Sequence, residues 1–149
     1  GMKEKEQINK LATEAIEIVE ERKELMDLEK ESLNSSKKQF KSISPLIEEL
    51  DEENIQDQAK DLYETMMKRY EYHDKLYNQY LTGLELDLEL YKLFQKGNVP
   101  VEVLEEKIGS INEAYELVLE SNQIFNEETR KYNEIKQKFY ESAGIETKK

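Results

Sequence analysis

The side chains that most often carry catalysis or bind metals are scarce in this sequence. Its 149 residues include one histidine, His73, and no cysteine. Zinc sites built from histidine and cysteine are therefore excluded, as are thiol nucleophiles and disulfides. A di-iron bundle needs two Glu-x-x-His pairs, whereas Glu71 precedes His73 by only two residues and so points to another side of a helix.

Carboxylates are abundant, but none is marked out as an acid–base pair. The chain holds 34 Asp and Glu residues, and adjacent glutamates recur at 20–21, 48–49, 52–53, 105–106 and 127–128. Such numbers are typical of a solvated helix face. The sequence also lacks a Gly-rich phosphate loop and a nucleophile elbow. We therefore predict that the protein is not an enzyme and uses no cofactor.

The charge balance limits the class of partner. The formal net charge is −12, and the acidic residues are spread along the chain. Nucleic acid is an improbable partner because its binding depends on neutralising phosphates with Lys and Arg. An anionic membrane surface is disfavoured for the same reason. Basic proteins, cations and neutral sugars remain compatible with this charge.

Apolar residues recur at steps of three and four, which predicts long amphipathic helices. We expect helices over about 3–42, 52–96 and 100–143, each roughly 60 Å long at 1.5 Å per residue. A short helical turn at "SPLIEELDEEN" links the first two, with Ser44 as the predicted cap, and Gly97 ends the second long helix. The apolar series of the first helix comprises Ile8, Leu11, Ala15, Ile18, Val19, Leu25, Met26, Leu33 and Phe40.

Three helices of equal length with short links must fold back on one another to cover their apolar stripes. The sequence thus predicts an all-α fold, an elongated, coiled-coil-like, antiparallel three-helix bundle that forms one domain over 1–149. A four-helix bundle made by dimerisation is the alternative, so a homodimer is one expected state.

A polar layer is predicted inside this bundle. With a simple antiparallel register, facing residue numbers sum to about 96 for the first two helices and about 197 for the last two. Six polar residues then lie on or beside the seams at two neighbouring levels: Arg22, His73 and Asn122, then Glu29, Arg69 and Thr129. Such a layer either fixes the register of the helices or forms a small polar or anionic site. The same register places Gly83 near Gly109, which indicates a close approach of two backbones, with a flexible hinge as the alternative.

The tyrosines fall into two groups. Tyr63, Tyr70, Tyr77 and Tyr91 belong to a seven-residue series that passes through Leu84, so we expect them at the edge of a seam. Tyr72 lies about 200° from Tyr70 around the helix. The candidate surface-binding residues are Tyr72, Tyr80, Asn126, Tyr132 and Asn133.

Three stretches carry a family resemblance: "INEAYELVLESNQIFNEETRKYNEIKQKFYESAG" (111–144), "RYEYHDKLYNQYLTGLELDLELYKLF" (69–94) and "EERKELMDLEKESLNSSKKQFKSI" (20–43). Together they resemble the YkyA-type lipoproteins of Gram-positive bacteria, whose family name describes them as "putative cell-wall-binding". The resemblance implies an extracytoplasmic, non-enzymatic helical protein that is lipid-anchored to the outer face of the cell membrane. The anchor's cysteine is not among these residues, and the membrane is expected as a partner only through that anchor.

Two functions are therefore expected. The first is binding of cell-wall polymer or an envelope protein through exposed tyrosines, asparagines and acidic groups. The second is a structural or interaction scaffold or spacer bundle that dimerises and has no small-molecule ligand. Exposure separates the two: a continuous exposed stripe of Tyr63, Tyr72, Tyr80, Tyr132 and Tyr140 favours binding, and full burial favours the scaffold.

Overall fold

The computed structural model describes residues 1–144, and helices account for nearly all of them. Helix α1 spans Met2–Lys41, α2 Ser44–Ile47, α3 Glu53–Lys96 and α4 Val101–Ala143. No β-strand occurs within residues 1–144. The all-α class and the three long helices are confirmed, and their ends lie within a residue of the predicted ends. The antiparallel arrangement of the bundle as a whole stays a prediction.

The link between α1 and α3 differs from the prediction in its cap. Residue Ile43, not Ser44, occupies the cap position of α2, and no side chain caps that end, although Pro45 lies in the first turn as expected. The other end is satisfied from α3, because Gln56 Nε2 donates to the carbonyls of Ile47 (3.3 Å) and Glu48 (3.2 Å). These bonds supply donors that the end of a helix otherwise lacks.

The turn between α3 and α4 follows the sequence signal. Gly97 has φ +72° and Asn98 has φ +54°, the left-handed region that glycine and asparagine tolerate best. The Gly97 N–H donates to the Leu93 carbonyl at 3.1 Å. Pro100 then stands just before α4, where its missing N–H costs nothing.

Contacts divide the chain into two compact units, each with a stretch of α1, α3 and α4. Unit 1 contains residues 1–30 and 77–120, and unit 2 contains residues 31–76 and those from Ser121 onward. A single domain over 1–149 remains a prediction.

The centre of unit 1 is apolar. Val19 and Met26 of α1 pack with Tyr77 and Leu84 of α3, and Leu84 is only 1% exposed. Four further side chains pack partly against this cluster: Tyr80, Leu81, Leu88 and Tyr91. Burial of such side chains stabilises a fold by about 1.5–3 kcal/mol each. This cluster therefore holds α1 to α3 in unit 1.

Buried positions in unit 2 are smaller or more polar. The buried residues of this unit include the polar Thr65 and Ser121 as well as Ala59, Tyr70 and Ile47. The Tyr70 hydroxyl shares a 2.9 Å hydrogen bond with Ser36 Oγ. The Tyr63 ring stacks on Phe40 with centroids 5.3 Å apart. Aromatic contacts and hydrogen bonds thus supply much of the packing in this unit.

The expected close approach of Gly83 and Gly109 is wrong. A Cβ built on Gly83 would lie 3.0 Å from Cζ of Tyr115, because the tyrosine ring covers this glycine. Gly109 is exposed, and a Cβ built on it would have no neighbouring atom within 4 Å. The approach at Gly83 is therefore between a backbone and a ring, not between two backbones.

Candidate binding site

Exposure of the tyrosines matches neither extreme of the sequence-based test. Tyr70 and Tyr77 are buried, at 8% and 7% exposure. The other seven tyrosines are half-buried, so none of the nine is largely exposed. The rings therefore pack at seam edges, while a part of most of them reaches solvent.

The most developed arrangement of predicted residues surrounds Arg69 in unit 2. Arg69 is half-buried, and its Nε donates to Thr129 Oγ1 at 2.9 Å. Its guanidinium carbon lies 5.2 Å from the ring centroid of Phe125 and 5.8 Å from that of Tyr132. Cation–π contacts of this kind contribute about 0.5–2 kcal/mol each. The α3 arginine is thus fixed against two aromatic rings of α4.

Thr129 is oriented by its own helix. Its hydroxyl donates to the Phe125 carbonyl at 2.9 Å, so its oxygen is turned towards Arg69 as an acceptor. The arrangement uses both capacities of a hydroxyl. A valine of the same shape could not replace it without leaving Arg69 Nε without this acceptor.

A second cation extends the aromatic row along α4. Lys136 Nζ lies 5.6 Å from the Tyr132 ring centroid and 6.0 Å from that of Tyr140. Burial raises the pKa of Tyr132, with a smaller contribution from Tyr140, while the Arg69 charge acts in the opposite direction. Two cations therefore lie within 6 Å of the Tyr132 ring centroid, and the tyrosine keeps its hydroxyl proton at neutral pH.

Exposed polar side chains lie beside this row on α4. Asn126 and Asn133, both predicted as surface-binding residues, are exposed. They belong to an open polar surface along one face of α4, here called the groove, which also includes Thr129, Arg130, Glu134, Gln137, Lys138 and Glu141. The groove offers amide, cationic and carboxylate groups within about four helical turns. Such a mixture suits a ligand rich in hydroxyl, amide and charged groups.

The other predicted residues of unit 2 differ in their burial. His73 is half-buried and meets Phe125 edge-on, with centroids 5.5 Å apart. Tyr72 is half-buried, and Asn122 is exposed. Thus His73 shares the Phe125 ring with Arg69, whereas Asn122 faces solvent.

Arg22 and Tyr80 belong to unit 1 and meet each other. Arg22 Nη1 donates to the Tyr80 hydroxyl at 2.7 Å. The Tyr80 ring packs edge-on against Tyr115, with centroids 6.2 Å apart, and Tyr115 donates to Asp87 Oδ2 at 2.5 Å. Burial and the Asp87 hydrogen bond raise the pKa of Tyr115 strongly, while the Arg22 charge lowers it. Sequence reasoning missed Asp87 and Tyr115, for which only the neighbouring Gly83 gave a signal.

Glu29 lies near another tyrosine of unit 1. The Tyr77 hydroxyl donates to Asp27 Oδ1 at 2.9 Å, and Lys30 Nζ lies 4.6 Å from the ring centroid. Burial, the Asp27 hydrogen bond and the charges of Asp27 and Glu29 raise the Tyr77 pKa. Glu29 itself is exposed.

The register explains these pairings. For two antiparallel helices, the sum of the residue numbers of facing residues is nearly constant and defines the register. For the hydrogen-bonded pairs between α1 and α3 this sum is 102–108, whereas the sequence analysis predicted about 96. The Arg69–Thr129 pair between α3 and α4 adds up to 198, close to the expected 197. The α1 residues therefore meet α3 residues about two to three helical turns away from the predicted ones.

Metal ligation and membrane insertion find no support in the part of the chain that is described. Within residues 1–144 no group of three or more His, Cys, Asp and Glu side chains is placed to hold a metal ion. No helix in that range is both long and apolar enough to cross a bilayer. The candidate site around Arg69 and on α4 consists of aromatic, cationic, amide and carboxylate groups.

Sequence comparison shows which protein family the chain resembles. The model of one protein family, YkyA, described as "Putative cell-wall binding lipoprotein", matches residues 1–142. The chain belongs to this family. It is also 31% identical over 149 residues to an "Uncharacterized lipoprotein YkyA" of Bacillus subtilis (strain 168), covering all of this chain and 67% of that protein. No solved structure matches the chain.

Membership of the YkyA family fixes the location of the protein. As a member of a lipoprotein family, it is extracytoplasmic and lipid-anchored at the cell membrane. The family resemblance noted in the sequence is thereby confirmed. The family description names binding, and no catalytic activity accompanies it.

Proposed function

We propose that this chain is a non-enzymatic binding module that contacts cell-wall polymer through the outer face of α4 in unit 2. The observation that carries the proposal is the groove around Asn126 and Asn133, which lies beside an aromatic row held by Arg69 and Lys136. Cell-wall polymers combine sugar hydroxyls and N-acetyl groups with charged peptide or phosphate groups. The groove presents hydrogen-bonding partners for each of these groups.

The aromatic row contributes rigidity to this surface. Tyr132 is half-buried, and both Arg69 and Lys136 lie within 6 Å of its ring centroid, so neighbouring groups restrict the ring before any ligand binds. A ligand that packs on such a ring incurs a smaller ordering cost. Tyr72, also half-buried in unit 2, is a further proposed contact. Tyr80 belongs to unit 1 and is not assigned to this surface. Within unit 2, the hydrogen bond between Arg69 and Thr129 supports this surface, because it joins α3 to α4.

A co-sedimentation assay with purified, protein-free cell wall tests the proposal. The double change Asn126→Ala and Asn133→Ala should weaken binding about thirtyfold, because two hydrogen bonds of about 1 kcal/mol each are lost. Asn112→Ala is the matched control, since Asn112 is an exposed asparagine of the same helix and the same seven-residue series. Equal binding by the double variant and the control would overturn the assignment to this groove.

An envelope protein is the other partner class for the same surface. If wild-type protein does not sediment with the cell wall but is retained by membrane-envelope proteins, and the double change abolishes this retention, the partner is a protein. The scaffold function is favoured by a different observation, the exposed apolar face of α1.

A further inference from the structure

Helix α1 carries apolar side chains that stay largely exposed in the part of the chain that the structure describes. Leu11, Ile18 and Leu25 follow one another at intervals of seven and are 57%, 60% and 67% exposed. We call these three residues the α1 stripe. They lie about 100° around the helix from Ala12, Val19 and Met26, which are buried in unit 1. Helix α1 therefore has two apolar faces, and unit 1 uses only one of them.

The spacing of the α1 stripe indicates the shape of what covers it. Apolar residues that repeat every seven positions stay in contact with a partner when the partner is a second helix and the two helices wind around each other. From Leu11 to Leu25 the stripe extends about 21 Å along α1. A small molecule or a sugar chain has no reason to match this interval. The covering element is therefore a helix.

The accessible surface of the chain agrees with a missing partner. It amounts to 10888 Å². A monomer of 17.7 kDa exposes about 8,000 Å² on average. Long helices account for part of the roughly 2,900 Å² difference, yet a standard interface buries only about 800 Å² per partner. Surface for such an interface is therefore available.

The charges beside the α1 stripe favour a second copy in parallel orientation. Glu14 and Glu21 flank one side of the stripe, and Ala15 and Arg22 flank the other. In a parallel pair related by a two-fold axis, the Arg22 side of the stripe in one copy meets the Glu21 side of the stripe in the other. Arg22 of each copy therefore faces Glu21 of the other copy. In an antiparallel pair like flanks meet, and Glu14 would face Glu21.

Arg22 can serve both contacts. Its Nη1 already donates to the Tyr80 hydroxyl. A guanidinium carries five N–H donors, so a carboxylate can be bound by the others. Parallel pairing also agrees with a lipid anchor, since two copies held in one membrane at the same point are related by an axis normal to it.

We propose that the α1 stripe is a self-association surface on which α1 of a second copy packs in parallel, with Leu11, Ile18 and Leu25 each against its own equivalent. The proposal concerns unit 1 and is independent of the proposed binding groove of α4. Other exposed apolar residues, such as Leu117 and Leu119 of α4, stand beside Glu113, Glu116 and Glu120, whose charges oppose self-pairing.

Sedimentation equilibrium of the full chain over a range of concentrations tests association. We expect a concentration-dependent dimer, and we expect Ile18→Glu to raise its dissociation constant about a hundredfold, because the glutamates of the two copies would face each other and lose water in the contact. Leu119→Glu is the matched control: it makes the same type of change at a side chain that is 65% exposed, and it should leave the dimer intact. A monomer at every concentration, or equal loss in both variants, would overturn the proposal.

Cysteine cross-linking tests the orientation, because the wild-type chain has no cysteine. In a parallel pair, Leu11→Cys alone forms an intermolecular disulfide under mild oxidation, and so does Leu25→Cys alone. In an antiparallel pair centred on Ile18, only a mixture of the two variants cross-links efficiently. Efficient cross-linking confined to the mixture would overturn the parallel arrangement, and circular dichroism of each variant shows that the helices are intact.

Discussion

In unit 1 the buried side chains are mainly apolar and centre on Leu84, whereas in unit 2 the buried set includes Thr65, Ser121 and the hydroxyl-bearing Tyr70. The same three long helices supply both sets. Each unit also holds one arginine in contact with tyrosine, but Arg22 is exposed and bonds a hydroxyl, while Arg69 is half-buried between rings. One helical scaffold can thus be stabilised by apolar burial in one region and by aromatic and polar contacts in another.

The largest expected effect tests the apolar centre of unit 1. Leu84→Ala should lower the free energy of unfolding by about 3 kcal/mol, because it leaves a cavity at a position with 1% exposure. Leu117→Ala, at 48% exposure in the same unit, should cost under about 1 kcal/mol. Urea unfolding followed by circular dichroism measures both. Similar losses in the two variants would show that Leu84 is not the centre of the core.

The second prediction contrasts the two arginines. Arg69→Met should cost about 2 kcal/mol, since it removes a hydrogen bond and two cation–π contacts from a half-buried position. Arg22→Met should cost at most about 1 kcal/mol, because an exposed hydrogen bond is largely replaced by water. The same unfolding assay applies. Reversal of this order would contradict the assignment of polar stabilisation to unit 2.

The third prediction uses the two helical glycines of unit 1. Gly83→Ala should destabilise the fold by about 1 kcal/mol, because the new methyl group meets the Tyr115 ring. Gly109→Ala should stabilise it by about 0.5–1 kcal/mol, since alanine favours a helix and nothing lies within 4 Å. Thermal unfolding of both variants checks these opposite signs. A stabilising Gly83→Ala would show that the ring moves aside at no cost.

The smallest effect concerns pH. The pKa of Tyr115 is raised in the folded protein, so its neutral form is favoured there, and this stabilisation is complete below the unfolded value of about 10. It should be lost as the pH rises above about 10 towards the folded value. Tyr115→Phe should therefore reduce the fall in stability between pH 9 and 11, measured by urea unfolding at several pH values. Tyr63→Phe is the control, and an identical pH profile for both would refute this role.

The sequence predicted the helices well because their periodicity and their breakers are local. The register of α3 against α4 was also predicted, since Gly97 and Pro100 define a short turn, and Arg69 duly meets Thr129. The register of α1 against α3 was predicted wrongly. The link between these helices contains α2 and its flanking residues, and no single residue in the sequence shows how far along α3 this link places α1. Arg22 consequently meets Tyr80 and not the level of His73.

Side-chain partners outside the apolar pattern were harder to predict. The Asp87–Tyr115 hydrogen bond depends on how a ring lies over Gly83, which spacing along one helix does not specify. Periodicity also merged the two apolar faces of α1 into one series. Only the three-dimensional packing separates Val19, which is buried, from Ile18, which is exposed.

The tight turn at Gly97 and Asn98 has a kinetic consequence. It brings Glu89 to Lys107 and Asp87 to Tyr115 across only 18 and 28 residues, whereas the contacts of α1 with α3 in unit 1 close over 50–82 residues. In unit 2 the order is reversed: Ser36 and Tyr70 are 34 residues apart, and Arg69 and Thr129 are 60 apart. Since short loops close at a lower entropic cost, nascent chains should form the α3–α4 pair first in unit 1 and the α1–α3 pair first in unit 2.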